Sequence, residues 1–221
     1  MNVLLFGATG MVGQGVLREC LIDPGVRLVQ TIGRRVLGAT HPKVQEIAHA
    51  DLWNYGDIEP ALSGFDACFF CLGVSSVGMK EDAYDHVTRG ITVAAAETLV
   101  RLNPGMTFVY VSGAGTDSSE QGSTMWARVK GRTENELLRL PFKAAYMFRP
   151  GFIQPMHGES SKTPLYRVLY QILRPLVPLL VRAFPNAVLT TEDIGRAMLI
   201  CAKRGAPKPV LEIRDIRALV S

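Results

Sequence analysis

The chain has 221 residues, nearly half of them apolar, and a net charge of +4, which is enough for a substantial core in a size that one domain accommodates. Its lysines and arginines are scattered rather than run together, which argues against nucleic acid as a partner, and no stretch reaches the about 18 charge-free apolar residues of a spanning helix. The N-terminus lacks a basic region, apolar core and cleavage site, so no secretory signal is expected, and Cys20, Cys68, Cys71 and Cys201 sit in apolar periodic segments as buried free thiols suited to a reducing, cytoplasmic location.

The apolar run Val3 to Phe6 ends in Gly7, Gly10 and Gly13, and an amphipathic pattern follows at Val12, Val16, Leu17, Cys20 and Leu21. That order predicts a buried strand, a glycine turn and a helix. Such glycines let the backbone approach a pyrophosphate, and the helix N-terminus offers free N–H groups and a partial positive charge. Gly7, Thr9, Gly10, Met11, Val12 and Gly13 are therefore candidate dinucleotide-binding positions.

Leu28 to Ile32 reads as a second strand, followed by Gly33, Arg34 and Arg35. NAD-specific sites place an acid here to hold the ribose hydroxyls. This chain has two guanidiniums instead, and arginine can grip a 2′-phosphate in bidentate fashion. NADP(H) is expected over NAD(H); a pair of solvated surface arginines is the alternative. Val44 to Ile47 is a short third strand, closed by Asp51-Leu52, with Asp51 equally able to cap the short helix that follows.

Ala67 to Leu72 is a fully buried strand, on which Cys68 and Cys71 point to opposite faces. Asp82 to Arg101 is a long helix with apolar positions at Val87, Ile91, Ala94, Ala95, Thr98 and Leu99. Thr107 to Ser112 is a strand, Met125 to Leu140 a helix ended by Pro141, and Ala144 to Arg149 a sixth strand. Strands alternating with helices argue for a parallel sheet covered on both faces, with the ligand at the carboxyl ends of the strands. Those ends carry Gly7, Gly33, Asp51, Leu72-Gly73, Ser112 and Arg149-Pro150-Gly151.

Thr163 to Ala183 is apolar and interrupted by Pro175 and Pro178. It reads as two helices that cover a substrate cleft or pack in a homodimer, with a helix lying on a membrane surface as the alternative. Thr190 to Asp193 is a capping-box start for a helix over Glu192 to Lys203, and Val210 to Ile213 is a last strand. The fold class expected is α/β, a doubly wound parallel sheet, as one dinucleotide-binding domain over 1–221 with a small, mostly helical cap over 155–190.

The G-x-x-G-x-x-G spacing resembles that of the extended and atypical short-chain dehydrogenase/reductases. The likeness covers about residues 1–160: GATGxxG at Gly7, IGRR at Ile32, DLW at Asp51, FFCLG at Phe69, VSGAG at Val111, VKG at Val129 and FRPG at Phe148. It is similar to the group of Tat-interacting oxidoreductase-like proteins and their small bacterial, epimerase/dehydratase-like relatives. The resemblance implies a Rossmann fold, NADPH binding, and an acid at Asp51-Leu52 that meets the adenine amino group. It also implies a Ser that orients a carbonyl, a Tyr that handles its proton, and a Lys four residues later that holds the nicotinamide ribose. Ser112 and Lys130 stand where the family's Ser and Lys belong. The Tyr position holds Trp126, whose indole has one donor, no acceptor and no titration in this range. Tyr110, Tyr84, His86 and His157 are other candidate proton donors, each with a core or surface reading beside it.

Two functions follow. One is an NADPH-dependent oxidoreductase of a small or flat substrate of unknown identity, with Ser112 orienting the acceptor, Lys130 holding the ribose and Trp126 walling the pocket. The other is a non-catalytic NADP(H)-binding sensor or assembly protein, similar to the NmrA-like redox sensors. No metal is expected.

Overall fold

The computed structural model describes residues 1–159 and 188–221. The expected cap over 155–190, with the apolar stretch Thr163 to Ala183, falls largely outside these residues. Seven strands form one parallel sheet: β1 (Asn2–Phe6), β2 (Leu28–Gly33), β3 (Val44–Ala48), β4 (Ala67–Phe70), β5 (Thr107–Val111), β6 (Ala144–Arg149) and, last in the chain order of the sheet, a strand at Val210–Glu212. Between β6 and that strand the short β7 (Phe152–Gln154) and β8 (Val188–Thr190) pair in parallel by themselves, so the strand at Val210–Glu212 is β9. The sheet order is β3-β2-β1-β4-β5-β6-β9. The chain reverses its direction of winding between β1 and β4, and a crevice opens there at the carboxyl ends.

Period-two alternation divides the apolar residues between two layers. Val3, Leu5, Val29, Phe69, Val109 and Phe148 belong to the core of the layer that contains α1 (Met11–Ile22), while Leu4, Phe6, Ile32, Cys68, Phe70 and Phe108 face the other layer. That second layer contains α2 (Glu81–Asp85), a π-helical turn over His86–Gly90, α3 (Ile91–Leu102) and α4 (Met125–Arg139). On the first face α1 packs against α5 (Thr191–Arg204), and α6 (Ile213–Val220) closes the chain. Cys68 lies in one core and Cys71 packs against the other, as strand alternation requires, and all four cysteines are free.

Several boundaries differ from those expected. The long helix over Asp82 to Arg101 is three pieces, because the π turn interrupts its α-helical ladder. β4 ends at Phe70, although the Cys71 N–H still reaches Phe6 O at 3.0 Å. β5 ends at Val111, one residue before Ser112. The last strand stops at Glu212, one residue short of the expected end, because Ile213 begins a helix. The capping box is present: the Asp193 N–H donates to Thr190 Oγ1, and Asp193 accepts from the Thr190 N–H.

Candidate functional site

The glycine turn is built by close approach. Gly7 has φ +77°, and a Cβ there would lie 2.6 Å from the Cys71–Leu72 peptide. A Cβ at Gly13 would lie 2.2 Å from Gly7 O, so the first turn of α1 sits directly on the loop before it. The Gly10 N–H donates to Gly7 O at 2.9 Å, and Gln14 Nε2 ties Thr9 O at 3.1 Å. Gly10 is the N-cap and contributes no side-chain cap. The N–H groups of Met11, Val12 and Gly13 therefore have no intrahelical acceptor and point out of the helix end.

A groove of about 470 Å³ runs from this turn along the end of β2. Gly7, Thr9, Arg34, Arg35, Leu52 and Leu72 line it. A second cavity of about 120 Å³ adjoins it, sharing Arg34, Leu52 and Leu72 and adding Gly73, Trp53, Phe70, Val87, Ile91 and Thr92. Arg34 and Arg35 are both exposed and make no ion pair or hydrogen bond among the described residues. Their loop is pinned from behind: Glu46 on β3 accepts the backbone N–H of Leu37 and, at 2.7 Å, of Ala39. Asp51 lies beyond the end of β3, and its Oδ1 accepts the Trp53 N–H at 3.0 Å, so it caps a turn.

The remaining expected residues gather at the ends of β5 and β6. Lys130 on α4 donates from Nζ to Ser112 O. Burial pushes its ammonium down to about 8, with the nearby Glu134 carboxylate opposing the fall. Trp126, one turn earlier on α4, is half-buried and faces Gly115 of the loop after β5. Ser112 is buried, and its hydroxyl lies 2.5 Å from Glu134 Oε1 and 3.0 Å from Phe148 O. Pro150 O accepts the Ala114 N–H at 2.8 Å, and Gly151 follows it at the surface. None of Ser112, Trp126, Lys130, Pro150 and Gly151 lines the two cavities described.

A buried ion pair underlies this second cluster. Glu134 is fully buried and takes Arg149 Nε on both oxygens at 3.1 and 3.2 Å and Nη2 at 2.5 Å. Arg149 Nη1 also reaches Glu212 Oε1 at 3.1 Å, and Nη2 reaches Ser118 Oγ at 2.5 Å. One guanidinium thus ties β6, α4, β9 and the loop after β5. Sequence reasoning missed Glu134; its signal was a carboxylate one helical turn after Lys130 on the same face.

The other candidate proton donors have different surroundings. Tyr110 is buried in the core, and burial drives its hydroxyl pKa up. Tyr84 is likewise buried. His157 pairs with Glu192 at 2.9 Å at the start of α5. His86 stacks on Trp53, with ring centroids 4.8 Å apart. Among the described residues no group of His, Cys, Asp and Glu could hold a metal, and no helix is long and apolar enough to cross a membrane.

No protein-family model matches the chain. A relative from Aspergillus terreus, Protein fmp52-1, mitochondrial, is 30% identical over 165 residues, covering 72% of this chain and 69% of the relative. The chain belongs to the Fmp52 family of atypical short-chain dehydrogenase/reductases. FMP52-1 of Scheffersomyces stipitis, also named mitochondrial, is 26% identical and spans 99% of this chain and 97% of its own. Protein HTATIP2 of the rat is 29% identical over 161 residues, covering 72% of this chain and 65% of that protein. The fold matches WbmF of Bordetella bronchiseptica, solved in complex with NAD+, at a TM-score of 0.67 and 17% identity, over 99% of this chain and 76% of that one. A short-chain dehydrogenase/reductase-family oxidoreductase of Burkholderia thailandensis matches at 0.67 and 17% identity, over 100% and 93%.

These relatives correct one expectation. Buried thiols suggested a cytoplasmic location, but the fungal Fmp52 relatives are named mitochondrial, and free buried thiols do not distinguish two reducing compartments.

Proposed function

We propose that the chain is an NADP(H)-binding oxidoreductase of the atypical short-chain class, acting on a small or flat substrate, and that it resides, as the names of its Fmp52 relatives say of them, in mitochondria. One observation carries the cofactor reading: the groove is lined by the Gly7–Thr9 turn that leads into the uncapped N-terminus of α1 and by two exposed guanidiniums without a partner among the described residues, and no acid lines it. A free 2′-hydroxyl is held by a carboxylate, and a 2′-phosphate by arginine. In this reading the Met11, Val12 and Gly13 N–H groups hold the pyrophosphate, Arg34 and Arg35 hold the 2′-phosphate, and Lys130 holds the nicotinamide ribose. The bound dinucleotide supplies the hydride chemistry. The chain's part is to orient the two rings and exclude water.

A second reading, a non-catalytic NADP(H)-binding regulator, is favoured by Trp126, which cannot pass a proton, and by the Ser112 hydroxyl, which is engaged by Glu134. Calorimetric titration with NADPH and NADH tests the cofactor reading common to both. NADPH is expected to bind much more tightly. Arg34→Ala with Arg35→Ala should cost NADPH about 2 kcal/mol or more, the worth of a charged hydrogen bond, and leave NADH nearly unchanged. Equal losses for both nucleotides would sink the NADP(H) assignment.

A further inference from the structure

We infer that the acceptor reduced at the Trp126–Lys130 cluster is a quinone, a flat ring whose two-electron reduction leaves an anion for Lys130 to hold; this rests on the oxidoreductase reading above. Three features meet there: a charge without a counter-ion, a flat wall, and a hydroxyl whose hydrogen is already used.

The charge is Lys130. Its ammonium has three N–H donors. One goes to Ser112 O, and the residue forms no ion pair among the described residues. The nearby Glu134 carboxylate is turned to Arg149 and Ser112 instead. Burial lowers the Lys130 pKa to about 8, so the group stays mostly charged at pH 7 and gains from an anion brought beside it.

The flat wall is Trp126, on the same face of α4 as Lys130. A Cβ at Gly115 would lie 3.7 Å from the Trp126 ring, and a Cβ at Gly113 would meet nothing within 4 Å. The loop after β5 therefore leaves room near the indole for a planar ring. The hydroxyl is Ser112. Its one hydrogen has two protein acceptors, Glu134 Oε1 at 2.5 Å and Phe148 O at 3.0 Å, so toward a ligand its oxygen accepts rather than donates. The cluster offers charge and surface rather than a titrating hydroxyl.

A simple ketone becomes an alkoxide and needs a proton as it forms. A quinone does not. The reduced dinucleotide gives up one hydrogen with two electrons and is oxidised. One quinone oxygen becomes a hydroxyl, the ring becomes aromatic, and the other oxygen is left as a phenolate. Water supplies its proton after release. A phenol titrates near about pH 10, as tyrosine does, so this anion is a far weaker base than an alkoxide. An ammonium suffices to hold it.

The test uses the full chain carrying Trp53→Phe, in which Trp126 is the only indole. Loaded with NADP+, which has no hydride to give, it is titrated with 2-methyl-1,4-naphthoquinone. Saturable quenching of Trp126 and a matching heat of binding are expected. 4-Nitrophenol, whose absorbance reports its ionisation, stands in for the reduced ring and should bind about tenfold more tightly as phenolate than as phenol. Lys130→Met should abolish that preference, and Lys130→Arg, which keeps the charge, should retain it. With saturating NADPH the chain should reduce the quinone, and Lys130→Met should lower kcat about 100-fold, the effect of losing one oxyanion donor. NADPH binding with neither quenching nor turnover of the quinone, or equal affinity for phenol and phenolate, would overturn this inference and leave the cofactor reading standing. Binding of neither NADPH nor NADP+ would overturn both.

Discussion

At position 126 a single side chain decides whether the site can move a proton. Tyrosine both donates and accepts; the indole of Trp126 only donates, from a nitrogen that does not titrate in this range. Lys130 keeps the position from which it could lower a neighbouring phenol's pKa. Trp126→Tyr is therefore expected to raise NADPH-dependent reduction of small carbonyl compounds by about 100-fold, the lower range for general acid catalysis. An acceptor panel assayed on both forms checks this, and an unchanged rate with normal NADPH binding would favour the regulator. The four-residue spacing of Trp126 and Lys130 was legible in the sequence because a helix fixes it. The orientation of Ser112 was not, because its hydroxyl is claimed by Glu134, 22 residues on, and by a carbonyl of another strand.

Among elements, α4 and β6 are joined by the Glu134–Arg149 pair, which lies out of solvent. Removing one partner leaves the other charged and buried, so Glu134→Ala should destabilise the fold by about 3–5 kcal/mol. Replacing both by apolar residues of similar volume, Glu134→Met with Arg149→Leu, should cost far less. Urea unfolding of both single variants and the double variant measures the difference, and a double-variant loss equal to the sum of the single losses would show that the two residues act independently. The strands of the large sheet were legible as apolar runs bounded by glycine and charge. The π turn was not, because its apolar periodicity continues that of the flanking helices. The pair β7 and β8 escaped for another reason: three residues are too few to display a period.

On the scale of the whole molecule, stability should depend on alkaline pH through Lys130. Its folded pKa of about 8 lies below the ordinary 10.5, so the unfolded chain binds more protons between those values. Stability from this group then rises as pH rises through that window, and the burial cost is felt in full below about pH 8. Lys130→Met should accordingly be the more stable form at pH 7, with its advantage shrinking toward pH 10. Unfolding free energies measured across that range would expose a pH-independent difference, which would contradict the shift.

The packing of α1 on α5 has a consequence for synthesis. Arg18 meets Glu192 at 3.1 Å across 174 positions of chain, and Val16 and Cys20 are fully shielded in the core that includes Ile194, Ala197 and Met198 of α5. At about 5–20 residues per second, α5 leaves the ribosome roughly ten to forty seconds after α1. For that interval the helix that follows the glycine turn has an uncovered apolar flank, and the nascent chain needs shelter until α5 emerges.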